Sequence, residues 1–451
     1  MLISTRAYRK MTTTSEVLLT SEASGQMWNV CVWDFHSSTS LLTYKGGTTA
    51  PHGLAVLNND FIISALTTKP VLNIWSLHKR DNQQMKMVCP GRVTALDVTP
   101  NGEYCIAAVS EKIHIWQVCT GHLMTVLGRH YQNVTCLRCC DDGSYFVSGG
   151  DDNMVIAWSL GRVLSETGEY SNRRAPVHVW SQHSLPITDI HIGYGGSRAR
   201  VVSSSLDQSC RMWDLASGEM ICCIVFDVSI TSTAMNLTES LLFAGGSNGN
   251  IYCYNLYDRP IRTERHIQSD TDDPSTTIYS GHSKQVTCLS ISLDGSQLVS
   301  GSHDCDVRVW DVYSGQCIKT VPHKGVVTNA RLIPTPPGVV SEIKRPLLPM
   351  QPFERHLYIP QKSGDSGEDN SSDTLNLYIN QFQQVTKSSD EARLYTEPLL
   401  RSRDTFDEVT PQVQETCIAE MKQEINELKS ANKNLYSFAV DEILQERNKP
   451  S

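Results

Sequence analysis

The chain has 451 residues, 40% of them hydrophobic, which is enough for a packed core in one large domain or in two or three smaller ones. Its formal charge of −9 argues against a surface whose main task is to bind phosphate, so any RNA contact is expected to be indirect or minor. No apolar run reaches the roughly 18 residues of a membrane span, and the N-terminus lacks the apolar segment of a signal peptide. We therefore expect a soluble, intracellular protein.

The fifteen cysteines are scattered through apolar alternating stretches such as YCIAAV and ICCIVF. In a reducing compartment such cysteines are expected to be small buried hydrophobic side chains. The adjacent pairs Cys139-Cys140 and Cys222-Cys223 would point to opposite faces of a strand, which does not suit a shared metal ion. We predict no metal site and no cofactor.

Six of the eight tryptophans recur at a regular step, and Tyr254 occupies the position of a seventh. The steps between successive members are 42, 41, 42, 55, 41 and 56 residues for Trp33, Trp75, Trp116, Trp158, Trp213, Tyr254 and Trp310. A period of about 40 to 45 residues with Trp-Asp endings is typical of WD-repeat β-propellers. We predict an all-β, seven-bladed WD-repeat propeller over residues 16–333.

Within each period, short β-branched runs alternate with turns, as in VTCLSIS, SLDG, QLVSGS and VRVWD, which predicts four strands per blade. The strand that opens a blade begins with Val-Thr or Ile-Thr, and its last copy, Val327-Thr328, has no tryptophan after it. Trp33, in turn, has no opening strand of this type before it. We predict that residues 326–333 form the inner strand of the blade whose other strands come from residues 16–44. Such pairing closes the ring and removes an exposed sheet edge.

Serine, histidine and aspartate recur together near the tryptophans, a combination that could indicate a hydrolase. From histidine to serine, aspartate and tryptophan the offsets are 18, 22 and 28 residues in two blades, and two residues longer in a third. A catalytic triad would occur once, whereas polar groups that satisfy one another inside a sheet can recur in every blade. We predict no catalytic residue and three structural tetrads: His130, Ser148, Asp152 and Trp158; His183, Ser203, Asp207 and Trp213; His282, Ser300, Asp304 and Trp310.

Two periods are longer than the others by about 14 residues, at residues 161–175 and 257–275, and both insertions follow the tryptophan strand. The loops that carry the tetrad histidine and aspartate lie on one rim of the ring, so the insertions are expected on the other rim. They are either tolerated surface loops or a partner-docking rim. The basic side chains of that rim would be Arg173, Arg174, Arg259, Arg262 and Arg265.

Outside the propeller the composition changes. Residues 1–15 are expected to be disordered, and residues 334–404 to form an extended proline-rich strap followed by a flexible acidic linker. Residues 405–447 predict a helix whose 4-3 apolar spacing favours a dimeric coiled coil, with Asn432 at an a position. The predicted dimer seam is Ile418, Met421, Ile425, Leu428, Asn432 and Leu435. The alternative is a helix packed on its own propeller.

Several stretches carry more information than the generic repeat. They include MWNVCVWDFHSSTSLLTYKGG at 27–47, VHVWSQHSLPITDIHIGYGG at 177–196 and IVFDVSI at 224–230. These stretches resemble the family of WD repeat-containing protein 18, the WD-repeat subunit of the rixosome. The resemblance runs from about residue 25 to residue 333 and, more weakly, through the helical tail.

The resemblance implies a non-catalytic scaffold for maturation of the large (60S) ribosomal subunit and processing of internal spacer pre-rRNA. It implies the nucleus, nucleolus and nucleoplasm as location, partly also the cytoplasm, and a homodimer formed through the C-terminal helix without membrane contact. The implied partners are a proline-, glutamate- and leucine-rich helical-repeat scaffold, a testis-expressed helical-repeat subunit, the midasin AAA ATPase with the pre-60S particle, and the spacer-processing endonuclease complex. The same fold also suits a ubiquitin-ligase substrate receptor or a signalling adaptor and, less well, an enzyme.

Overall fold

The computed structural model describes residues 16–25, 28–78, 84–165, 175–257, 264–267, 276–340 and 350–357. Within these ranges the chain forms seven antiparallel four-stranded sheets, one of which gains a fifth strand. The inner strand of each sheet packs against the inner strands of the sheets on either side, so the sheets close into a ring of seven blades. This arrangement confirms the predicted all-β propeller. The predicted disordered N-terminus and the C-terminal helix lie outside the described ranges.

The strands are short, as the turn-rich sequence predicts. In chain order they are β1 Glu16–Glu22, β2 Val30–Asp34, β3 Ser40–Tyr44, β4 Thr49–Leu57, β5 Phe61–Leu66, β6 Val71–Ser76, β7 Gln84–Val88, β8 Val93–Val98, β9 Tyr104–Val109, β10 Lys112–Gln117, β11 Leu123–Gly128, β12 Val134–Cys139, β13 Tyr145–Gly150, β14 Val155–Ser159, β15 His178–Trp180, β16 Ile187–Ile192, β17 Arg200–Ser205, β18 Ser209–Asp214, β19 Met220–Val225, β20 Ile230–Met235, β21 Leu241–Gly246, β22 Ile251–Asn255, β23 Glu264–His266, β24 Thr276–Tyr279, β25 Val286–Ile291, β26 Gln297–Ser302, β27 Asp306–Asp311, β28 Cys317–Pro322 and β29 Val327–Pro334.

From the ring axis outward, the blades are β29-β1-β2-β3 (blade 1), β4 to β7 (blade 2), β8 to β11 (blade 3), β12 to β15 (blade 4), β16 to β19 with β23 (blade 5), β20-β21-β22-β24 (blade 6) and β25 to β28 (blade 7). The helical elements of the described chain are the short helices α1 Leu160–Leu164 and α2 Pro337–Val340 and a single 3₁₀ turn, Gly196–Arg198. None of these helices is long and apolar enough to cross a membrane.

Each blade is covered on both faces by its neighbours, so its middle strands are buried along most of their length instead of at alternate residues. Strands β9 and β13, for example, each bury five consecutive residues after an initial tyrosine. The hydrophobic core therefore lies between blades. One such layer joins Val147 and Trp180 of blade 4 to Val201 and Trp213 of blade 5.

Blade 1 is built from both ends of the propeller sequence. Strand β29 pairs with β1 along its whole length, from Glu16 opposite Pro334 to Glu22 opposite Val327. The side-chain oxygens of Ser21 and Thr328 lie 2.7 Å apart across this pair. The inner strand that the sequence places at residues 326–333 is thus β29, shifted by one residue. With β29 in place, β1 is paired on both edges, and blade 1 has four strands like the other blades.

A threonine near the start of five of the seven inner strands connects one blade to the next. Its hydroxyl donates to the main-chain carbonyl of the first residue of the next inner strand. The distance is 2.6 to 2.8 Å for the donors on β8, β12, β16 and β25. The donors are Thr94, Thr135, Thr188, Thr231 and Thr287. In blade 1 the side-chain amide of Asn329 makes the corresponding bond to Ala50 of blade 2, over 2.9 Å. These bonds form a belt that holds six of the seven blade junctions.

Replacing two belt threonines should weaken the ring. Each of Thr135→Val and Thr287→Val removes a donor from an inter-blade carbonyl, which is expected to cost about 1 kcal/mol. The two sites are far apart, so the double variant should lose about 2 kcal/mol and melt several degrees lower. Thr43→Val, a matched change on the exposed outer strand β3, should change stability by less than about 0.5 kcal/mol. Equal melting temperatures for the double variant and Thr43→Val, measured by differential scanning fluorimetry, would contradict a stabilising belt.

A part of the predicted strap, residues 350–357, is docked on blade 3. The Phe353 ring stacks on Trp116 with centroids 5.3 Å apart, and the indole N–H of Trp116 donates to the carbonyl of Glu354 over 2.8 Å. The main-chain N–H of Glu354 in turn donates to the carbonyl of Gly121 over 2.8 Å, and Leu357 forms a parallel β-bridge with Leu123 of β11. Gly121 is required here, because it has a φ of 75° and an added Cβ would lie 2.3 Å from a main-chain oxygen of the strap.

Candidate functional site

The structure brings the members of each predicted tetrad together. In blade 7, the His282 ring contacts Asp304 through Nδ1 over 2.8 Å and Ser300 through Nε2 over 2.7 Å, and the Trp310 indole donates to Ser300 over 2.8 Å. Blade 4 repeats this set with His130, Asp152, Ser148 and Trp158, and blade 5 repeats it with His183, Asp207, Ser203 and Trp213.

The direction of these bonds makes each tetrad a closed network. The serine oxygen accepts the indole N–H and can donate its own proton to Nε2, while Nδ1–H donates to the carboxylate. The carboxylate also accepts the main-chain N–H of the residue after the histidine, as Asp152 does from Tyr131 over 2.9 Å. Every polar group thus has a partner, and the pairing holds the loop between blades against the turn between the second and third strands.

The same geometry prevents the tetrad serines from acting as nucleophiles. Ser148, Ser203 and Ser300 are each 0% exposed, so no substrate carbonyl can reach their hydroxyl groups. A hydrolytic serine must instead be presented at a surface beside donors that stabilise an oxyanion. The three sets therefore act as structural elements of their blades.

Protonation within the tetrads follows from burial and hydrogen bonding. Burial alone would raise the pKa of Asp152, but hydrogen bonds from His130 and from the main chain outweigh it, so this pKa lies below its usual range. The pKa of Asp207 and that of Asp304 are lowered in the same way. Burial lowers the pKa of His282 despite the neighbouring carboxylate. The arrangement at neutral pH is therefore a charged carboxylate beside a neutral imidazole in blade 7.

A fourth set, in blade 1, lies across the ring closure and was not predicted. The hydroxyl of Thr20 accepts the indole N–H of Trp33 over 2.8 Å and lies 2.9 Å from Nε2 of His323. Glu22 replaces the aspartate only in part: its carboxylate accepts the main-chain N–H of Lys324 over 3.1 Å, whereas Nδ1 of His323 bonds the main-chain carbonyl of Val321 over 3.0 Å. The histidine and the hydroxyl come from opposite ends of the propeller sequence, so this set also fastens the closure.

One spacing could have revealed the fourth set. His323 stands four residues before Val327, just as His282 stands four residues before Val286 in a predicted tetrad. The threonine could not be found by the same count, because Thr20 precedes its tryptophan by 13 residues instead of 10.

Removing a tetrad carboxylate should destabilise the fold without any catalytic effect. Asp152→Ala leaves the buried His130 ring and the Tyr131 N–H without their acceptor, which is expected to cost about 1 to 3 kcal/mol. The adjacent Asp151→Ala is the matched control and should stay within about 0.5 kcal/mol of wild type. Asp304→Ala should behave like Asp152→Ala. An Asp304→Ala variant with an unchanged melting temperature that had lost a measurable hydrolase activity would overturn the structural interpretation.

The two insertions are only partly covered by the described ranges. The blade 4 insertion begins with α1, and the blade 6 insertion contributes β23, which pairs in parallel with β19 on the outer edge of blade 5. Arg265, on β23, places its guanidinium over the Tyr254 ring at 5.0 Å and hydrogen-bonds the Tyr254 hydroxyl. This arginine is therefore engaged within the chain. The other arginines of the predicted rim, Arg173, Arg174, Arg259 and Arg262, lie outside the described residues.

The predicted dimer seam, Ile418, Met421, Ile425, Leu428, Asn432 and Leu435, also lies outside the described residues and stays a prediction.

Charged side chains cross the central channel. Asp189 of blade 5 lies 3.6 Å from Nδ1 of His52 in blade 2 and 3.8 Å from Arg138 in blade 4, and Arg331 of blade 1 lies 3.6 Å from Asp97 in blade 3. Burial lowers the pKa of His52 more than Asp189 raises it, so this ring is neutral at neutral pH. The contacts of Asp189 with His52 and of Arg331 with Asp97 join blades that are not neighbours in the ring, so the channel is occupied by side chains where they meet.

Cys136 and Cys139 have the C-x-x-C spacing found in some zinc sites. Burial raises the pKa of Cys136 to about 12 and holds the pKa of Cys139 well above its usual range, so both thiols are protonated at neutral pH. Zinc requires thiolates, and no group of three or more potential ligands suited to a metal ion occurs in the described part of the chain.

Comparison with known proteins agrees with this architecture. The model of the WD domain, G-beta repeat, matches residues 121–159, 174–214 and 273–311. The WD repeat-containing protein 18 of Homo sapiens is 42% identical over 427 residues, which cover 94% of this chain and 97% of that protein. That of Danio rerio is 40% identical over 428 residues, with the same coverage. The pre-rRNA-processing protein pro-1 of Caenorhabditis elegans is 28% identical over 326 residues, 71% of this chain and 61% of that protein.

The closed ring of four-stranded blades and its repeated tetrads define a WD-repeat β-propeller. Within that class, the chain belongs to the WD repeat-containing protein 18 family.

Proposed function

We propose that this chain is a non-catalytic scaffold subunit of the rixosome, a nuclear complex that matures the large (60S) ribosomal subunit and processes internal spacer pre-rRNA. The observation that carries the pathway is the similarity, over 71% of the chain, to a protein named for pre-rRNA processing. The family membership supports the same pathway.

The geometry supports the scaffold role. The ring is closed by β29 and stapled by the threonine belt, and four hydrogen-bonded sets anchor loops on one rim. A rigid disc of this kind presents two rims and an outer circumference on which different partners can bind at once. The serine, histidine and aspartate side chains that could have indicated a hydrolase are instead hydrogen-bonded to one another in structural networks.

The proposed partners are the proline-, glutamate- and leucine-rich helical-repeat scaffold, the testis-expressed helical-repeat subunit, midasin with the pre-60S particle, and the spacer-processing endonuclease complex. We place the protein in the nucleolus and nucleoplasm. The runner-up function, a substrate receptor of a ubiquitin ligase or a signalling adaptor, would use the same disc with different partners.

Affinity purification of the tagged full chain, followed by quantitative mass spectrometry and gradient sedimentation, separates these functions. We expect large-subunit assembly factors and spacer-containing pre-rRNA to co-purify and to sediment with pre-60S particles. A variant lacking residues 327–334 is the control and should lose these partners, because it opens the ring. Enrichment of cullin or kinase components without ribosome factors would refute the proposal in favour of the adaptor.

The tail prediction is tested by analytical ultracentrifugation. The full chain should be at least partly dimeric, and residues 1–400 should be monomeric, because the seam lies beyond them. Ile425→Asp combined with Leu428→Asp should reproduce the truncation. Asn426→Asp combined with Ser430→Asp, which adds the same charge off the seam, should leave the dimer intact. Dimerisation of residues 1–400 as strong as that of the full chain would favour the helix packed on its own propeller.

A further inference from the structure

The channel opens on one rim into a mouth that no predicted site included. It leads into a cavity of about 440 Å³ whose lining comes from the inner strands and from the turns that follow them. These turns lie on the rim opposite the tetrad histidines, because strands alternate in direction within each blade. The mouth is therefore on the same rim as the two insertions.

An apolar collar surrounds this mouth. The second residue after the inner strand is apolar in four blades, at Pro100, Tyr194, Leu237 and Leu293, and Pro334 ends the inner strand of blade 1. All five line the cavity, yet Tyr194, Leu237 and Leu293 are 48%, 41% and 39% exposed. A ring of exposed apolar side chains around a cavity is typical of a protein-binding site and not of an ordinary turn.

The charge inside the collar is negative. Four carboxylates and two guanidinium groups line the cavity, an excess of two negative charges, with Glu16 and Asp141 near the mouth. Glu16 is only 8% exposed and accepts the main-chain N–H of Leu293 over 2.8 Å. The neighbouring negative charge of Asp294 and, above all, burial raise the pKa of Glu16. A cation placed beside Glu16 would relieve both effects.

The cavity is also lined by two residues that each have a polar side-chain atom without a hydrogen-bond partner. Thr233 is 3% exposed, lines the cavity and has a hydroxyl group without a hydrogen-bond partner. Nε2 of His191, another lining residue, likewise lacks a partner. Buried polar groups without partners are uncommon and costly, so these two atoms are suited to receive a polar group from outside.

We propose that this mouth binds a protein segment that inserts one lysine or arginine side chain beside Glu16 and lays apolar side chains against Tyr194, Leu237 and Leu293. The acidic cavity selects the cation, and the collar supplies the apolar contact area that anchors it. Because Arg138 and Arg331 are already paired with Asp189 and Asp97, the acidic side chains near the mouth dominate its charge. The proposal goes beyond the scaffold function in naming the site and the chemistry of one partner.

The test begins with the purified full chain and a phage-displayed library of random 12-residue peptides. We expect enriched peptides to contain a lysine or arginine within a few residues of two or more large apolar residues. One such peptide, synthesised with a fluorescent label, is then titrated against variants by fluorescence anisotropy.

Leu237→Ser combined with Leu293→Ser should weaken its binding about tenfold or more. The matched control on the opposite rim, Leu185→Ser combined with Leu206→Ser, changes side chains that are 46% and 41% exposed and should leave affinity within about twofold.

A double-mutant cycle tests the basic subsite directly. Glu16→Gln keeps an oxygen that can accept the Leu293 N–H but removes the charge, and it should weaken binding about tenfold. Replacing the peptide's basic residue by glutamine should weaken binding to wild type similarly but hardly change binding to Glu16→Gln, because the two groups interact. If Glu16→Gln proves poorly folded, Asp141→Asn, at the other carboxylate that lines the cavity near the mouth, takes its place in the cycle.

Three outcomes would overturn the proposal: no enriched peptide, equal loss of binding in the collar and control variants, or selection of acidic peptides that depend on Arg331. These outcomes are independent of the purification experiment, since the scaffold could assemble into ribosome precursors through other surfaces.

Discussion

The pairing of β29 with β1 is the interaction on which the rest of this structure depends. Each blade buries both faces only because it has a neighbour on each side, so an open ring would expose two apolar faces as well as two strand edges. The threonine belt distributes this constraint over the ring, since its hydroxyl groups bond inner strands of successive blades. The Thr20, His323 and Trp33 set then fastens the blade in which the ends meet.

The tetrads show how similar side chains can serve structure or catalysis, depending on what surrounds the serine. In each tetrad an indole N–H occupies a lone pair of the serine oxygen, and the hydroxyl group is inaccessible. The network satisfies buried polar groups that would otherwise destabilise the fold, and its geometry fixes the position of two loops at once. Blade 3 has no such set, and its tryptophan instead donates to the strap at Glu354.

Side chains can bind a partner where the fold leaves apolar groups exposed or charged groups unpaired. On the rim that carries the tetrads, the tetrad carboxylates are hydrogen-bonded within the protein. The opposite rim exposes the collar around an acidic cavity. A rigid ring with different chemistry on its two rims can hold separate partners in a defined relation, as the proposed scaffold function requires.

The sequence by itself determined the class of fold, the number of blades and the predicted tetrads, because each of these depends on spacings within one period of about 40 residues. It also located the closing strand to within one residue, since an opening strand without a tryptophan and a tryptophan without an opening strand can only complete each other. Only the tertiary structure decided that the strap docks on Trp116, that β23 joins blade 5, and that charged side chains of non-adjacent blades meet in the channel. These contacts join residues far apart in the chain, 238 positions in the case of Trp116 and Glu354. A local periodicity in the sequence cannot predict which distant side chains will meet when the ring closes.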